Sequence, residues 1–98
     1  MKGDTEMKEL KVKVKEYVFV KTNGKYYYKR TYGAFDLVDA IGWISRYYRD
    51  WFEDPLMDGF GKYEVFNENG ELVMTVSRSG YKGTEEGMKI FDVECRKR

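Results

Sequence analysis

No histidine occurs among the 98 residues. That removes the commonest general base, the commonest nitrogen ligand for a metal and the usual neutral-pH switch together. Cys95 is the only cysteine and stands between Glu94 and Arg96. It can neither close an intrachain disulfide nor complete a zinc site, and a lone cysteine near a strand end reads as a small buried hydrophobe. Without an imidazole, no hydroxyl or thiol has a credible activating base. The carboxylate pairs Asp36/Asp39 and Asp54/Asp58 have spacings that could serve acid–base work or Mg²⁺, but such pairs arise by chance in so acidic a stretch. Gly59-Phe60-Gly61-Lys62 has too few glycines, in the wrong context, for a phosphate loop. The sequence reads as a non-enzyme with no catalytic residues, no metal and no cofactor.

Two constellations could instead bind. The first is acidic. Asp36, Asp39 and Asp50 fall on the same side of a helix as Trp43, and Glu53, Asp54 and Asp58 follow. A tryptophan ringed by carboxylates suits a partner protein with a basic surface, the ring as anchor and the charges as steering. The bland alternative is that Asp36 and Asp39 only cap the helix while Trp43 packs on a loop. The second constellation is basic and aromatic. If one face of the first hairpin meets a helix, Lys13, Lys15, Tyr17, Phe19, Tyr26, Tyr28, Arg30 and Tyr32 share the other. Cations there neutralise phosphates and rings stack on unpaired bases, so the alternative partner is nucleic acid, bound weakly or indirectly.

The elements that must position these groups follow from periodicity. Leu10, Val12, Val14, Val18 and Val20 alternate with lysines and aromatics, which predicts a strand; Glu16 breaks the apolar row, so a bulge is expected near 15–17. Asn23-Gly24 predicts a two-residue hairpin loop pairing Thr22 with Lys25, Phe19 with Tyr28 and Tyr17 with Arg30. Asp36 is an N-cap for a helix over about 37–52, whose apolar arc holds Leu37, Ala40, Ile41, Ile44, Tyr48, Trp51 and Phe52. Trp43 and Gly42 lie outside that arc. Asp54–Gly61 reads as a loop. Strands are expected at about 62–67 and 71–78, joined at Asn69-Gly70, with a mobile loop at 79–87 and a fifth strand at 88–95.

The whole is α+β: an antiparallel sheet of four to five strands with one helix on one face, in the order ββ-α-ββ(β). One domain spans 8–95, between a flexible tail at 1–7 and a basic tail at 96–98. Aromatics make up 17% of the chain, enough area to bury to argue against disorder. Net charge is +1, unevenly spread: residues 1–32 hold nine Lys/Arg against four Asp/Glu, and 33–74 hold three against nine. That split predicts two faces of opposite sign. No signal peptide or membrane span is read, so a cytoplasmic protein is expected. In size and composition the chain is similar to phage and mobile-element products that act by binding, such as inhibitors of bacterial defence nucleases of the anti-CRISPR type. The leading expectation is a module that blocks or regulates a partner protein. Nucleic-acid binding through the tyrosine-rich face is the alternative. A homo-oligomeric structural domain, such as a homodimer joined through the bare sheet face, is the third.

Overall fold

The computed structural model describes residues 10–54, 56 and 59–97. Asp58, the whole N-terminal tail at 1–7 and the last residue of the basic tail lie outside them. The chain is α+β, with an all-antiparallel five-stranded sheet covered on one side. In order it forms β1 (Val12–Val20), β2 (Lys25–Ala34), α1 (Leu37–Glu53), β3 (Lys62–Phe66), β4 (Leu72–Ser77), β5 (Gly80–Gly83) and α2 (Glu85–Arg96). Across the sheet the order is β2-β1-β3-β4-β5. Because β1 is antiparallel to both its neighbours, β2 and β3 run parallel, and α1 carries the chain back over the sheet between them.

Alternation decides which side is covered. Val12 and Val14 of β1, Tyr63 and Val65 of β3 and Met74 and Val76 of β4 point to the helices and are buried. Ala40, Ile41 and Ile44 of α1 and Phe91 of α2 close over them. Val18 and Val20, expected under the helix, run past its cover; Val18 is 38% exposed. Phe60 lies in the expected loop between α1 and β3, and its side chain, 1% exposed, is at the centre of an aromatic cluster. Its ring lies 5.1 Å from Tyr47, 5.5 Å from Tyr48 and Tyr63, and 5.4 Å from Trp51, on which it stacks.

The expected fifth strand over 88–95 is a helix. Met88, Phe91 and Cys95 are spaced for one helical face as well as for alternation, and the capping decides between them. Thr84 accepts a hydrogen bond from Gly87 N at 3.1 Å, and Glu85 and Glu86 occupy the first turn. The fifth strand is instead the short Gly80–Gly83, within the segment expected to be a loop. Gly87 lets the first turn of α2 approach the sheet, since a Cβ there would lie 2.3 Å from the carbonyl oxygen of Val73. Gly42, off the apolar arc of α1, is buried where α1 meets α2: its missing Cβ leaves room for Glu94, which accepts from Arg46 at 3.0 Å and Lys97 at 2.8 Å.

The first hairpin turns through four residues rather than two. Gly24 has φ +69°, but among the described residues none other than glycine has positive φ, so Asn23-Gly24 does not form the turn that needs it at both positions. Gly24 N donates to Val20 O at 2.8 Å, and pairing restarts at Val20 with Lys25. The register becomes Phe19 with Tyr26 and Tyr17 with Tyr28.

Phe60→Ala should lower unfolding free energy by about 3–5 kcal/mol, because a filled aromatic centre becomes a cavity. Chemical-denaturation midpoints measure this, and an unchanged midpoint would place Phe60 outside the core.

Candidate functional site: an open basic and aromatic sheet face

An irregularity in β2 distributes the hairpin's side chains. Glu16 pairs with Arg30, but the next residue, Tyr17, pairs with Tyr28, so Lys29 is an extra residue in β2. The disturbance falls at Glu16, as the broken apolar row implied, while the inserted residue belongs to the partner strand. Before it, Tyr26 and Tyr28 share the open side with Tyr17 and Phe19. After it, Arg30 and Tyr32 share the helix side with Glu16. Arg30 and Tyr32 are therefore not part of the open face, as one uninterrupted alternation had suggested.

On the helix side they serve a half-buried carboxylate. Glu16 Oε1 accepts from Arg30 Nε at 2.8 Å and from the Tyr32 hydroxyl at 2.7 Å, and Oε2 accepts from the Tyr63 hydroxyl at 3.2 Å. Burial pushes the Glu16 carboxyl up, but these bonds and the nearby Lys29 charge outweigh it and hold it below the usual range. Tyr32 and Tyr63 are pushed up, first by burial and then by the carboxylate.

The same packing removes the expected acidic anchor. Trp43 meets Tyr32 edge-on at 5.9 Å and Tyr63 at 5.3 Å, and packs on the core rather than standing free. Asp36 caps α1 by accepting from Asp39 N at 2.8 Å, and Asp39 accepts from Phe35 N at 3.3 Å. Asp50 lies beside Arg49 at 3.5 Å. Glu53 ends α1, and Asp54 follows as its C-cap, accepting from Leu56 N at 3.2 Å. What remains is a scatter of surface carboxylates without an aromatic centre.

The open side is different. Its positions on β1, β3 and β5 include Lys13, Lys15, Lys62 and Lys82, with a single carboxylate, Glu64, at the middle of β3. The rings are Tyr17, Phe19, Tyr26, Tyr28 and Phe66, of which Tyr28 is 58% exposed. Cations lie over most of them. Lys62 sits 4.5 Å from the Tyr17 ring and 5.0 Å from Tyr26, and Lys15 sits 5.3 Å from Phe66. At the end of the sheet Arg78 lies 4.6 Å from Phe19. The Tyr17 hydroxyl donates to Glu64 Oε1 at 2.7 Å, and that bond, with some burial, pushes the phenol up to about 12. Sequence reasoning missed Lys62, Glu64, Phe66 and Lys82. The signal for the first three was present: Tyr63 and Val65 facing the core force their neighbours outward.

A second feature is a groove of about 520 Å³ beside α1 and α2, with Tyr48, Phe52, Tyr81, Met88, Phe91 and Cys95 among its walls. Its rim charges pair among themselves, Lys89 with Glu85 at 3.9 Å and Arg96 with Asp92 at 3.1 Å. Among the described residues no group of three or more His, Cys, Asp or Glu is placed to hold a metal, and no helix is long and apolar enough to cross a membrane. No protein-family model matches the chain, nor does any curated protein or solved structure.

Two outcomes follow from the helix-side packing. Trp43→Ala should cost about 2–3 kcal/mol by thermal or urea denaturation, a core-sized loss rather than a surface one. Glu16 has a lowered folded-state pKa, so its contribution is present above its ordinary value near 4.5 and is lost as pH falls below it. Glu16→Gln should therefore be about 2 kcal/mol less stable near neutral pH and should lose less stability than wild type on acidification. Parallel acid limbs for the two proteins would show that Glu16 is not a main source of acid sensitivity.

Proposed function

We propose that the protein is a non-enzymatic module that takes a single-stranded nucleic acid on the open face of its sheet. The observation that carries the reading is the interleaving of lysines and rings: Lys15 over Phe66, and Lys62 over Tyr17 and Tyr26. Exposed cation–π contacts are worth about 0.5–1 kcal/mol, whereas a base stacked on an aromatic ring is worth about 1–3 kcal/mol. An arriving strand can displace an ammonium from a ring with net gain, and the displaced ammonium is then beside the phosphates. A duplex fits less well, because its bases already stack on one another and leave no free π-face for Tyr28 or Tyr17.

A partner protein is the second reading, and the groove beside α2 is what favours it. Phe52, 66% exposed at its edge, is a large apolar side chain such as partners cover. Inhibition of a nucleic-acid-handling enzyme, as the small size and composition suggest, would act through this surface rather than through Trp43.

Fluorescence anisotropy with labelled single-stranded RNA and DNA tests the primary reading. Binding is expected in the micromolar range at about 0.15 M salt, with log Kd rising against log salt by about 2–3 if three or four lysines contact phosphates. Tyr28→Ala and Lys15→Glu should each weaken binding several-fold while leaving the fold intact. Binding unchanged in both variants would move the site off the sheet.

A further inference from the structure

We infer that Glu64 reads base identity on the open face, favouring a base that presents an exocyclic amine, cytosine above all, over thymine or uracil. The inference rests on that face taking a single strand.

A carboxylate is out of place on a surface built to attract phosphates. Glu64 is nevertheless central, on the middle strand of the sheet, opposite Lys15 on β1 and Thr75 on β4. Its geometry is specific. Oε1 accepts from the Tyr17 hydroxyl at 2.7 Å, while among the described residues Oε2 has no hydrogen-bond or ion-pair partner. The Tyr17 phenol keeps its proton throughout the neutral range, so the bond is a constant donor that aims the carboxylate. The side chain is half-buried.

Tyr17 also offers the stacking surface beside it. Lys62 lies 4.5 Å from the ring centroid, where a base would sit after exchange. The ring's own hydroxyl touches Glu64, so a base over that ring has one edge within reach of the free oxygen. There, cytosine can present its N4 amine, a donor the carboxylate accepts. Thymine and uracil carry a carbonyl at the same position, whose negative end faces a negative oxygen. The single acidic residue thus reduces general attraction and returns selectivity at one base position.

The test uses anisotropy with oligo-dC and oligo-dT of equal length, at neutral pH and about 0.15 M salt. Wild type should bind oligo-dC about tenfold tighter than oligo-dT. Glu64→Gln removes the charge and should bring the two within about twofold, chiefly by strengthening oligo-dT. Tyr17→Phe keeps an aromatic ring but releases the carboxylate, and should reduce the oligo-dC over oligo-dT ratio to about threefold or less. If both oligonucleotides bind equally well to wild type, or Glu64→Gln keeps the preference, the role of Glu64 is overturned and strand binding stands. If neither binds, strand binding itself fails and the inference fails with it.

Discussion

A carboxylate on the covered side of a sheet must be hydrogen-bonded, because a buried charge without partners is among the costliest features a fold can carry. Glu16 sits in that position with only 12% of its side chain exposed, and β2 is arranged around it. Regular pairing would continue one alternation from Tyr26 through Tyr32 and send Arg30 and Tyr32 to the open side. The extra residue, Lys29, reverses that alternation. Arg30 and Tyr32 then reach Glu16, and Tyr63 completes the set from β3.

The two faces take their character from that one insertion. On the covered side, Tyr32 and Tyr63 hold the carboxylate through their hydroxyls and hold Trp43 between their rings, so hydrogen bonding and packing share the same side chains. On the open side, Tyr26 and Tyr28 join Tyr17 and Phe19 to extend an aromatic surface next to the lysines of β1 and β3. Acidic residues are concentrated on α1 and near its ends, where they cap the helix, while the first hairpin keeps an excess of cations. The opposite signs expected from the charge distribution correspond to these two layers.

Much of this was legible in the sequence. The α+β class, the helix from Asp36, the disturbance at Glu16 and the open-side placement of Lys13, Lys15, Tyr17, Tyr26 and Tyr28 follow from alternation and capping. The failures have physical causes. Alternation cannot say which of two paired strands carries an inserted residue, so Arg30 and Tyr32 were placed on the wrong side. In Met88–Cys95 the apolar residues satisfy both a strand and a helix period, and the Thr84 cap was hidden among glycines that suggest a loop. Trp43 lies off the apolar arc of α1, and one helical arc does not by itself define the core. Its partners, Tyr32 and Tyr63, come from strands whose pairing the helix does not reveal.

On the proposed function, the open face of the sheet and not the helical layer is the surface that binds. Backbone amide NMR of the labelled protein, titrated with unlabelled single-stranded oligonucleotide, separates the two surfaces. Binding on the sheet should give progressive shifts at Lys15, Tyr17, Tyr28, Lys62 and Glu64, with Met88, Phe91 and Cys95 unmoved. Shifts concentrated at Phe52, Met88 and Cys95, or none across the sheet, would contradict it.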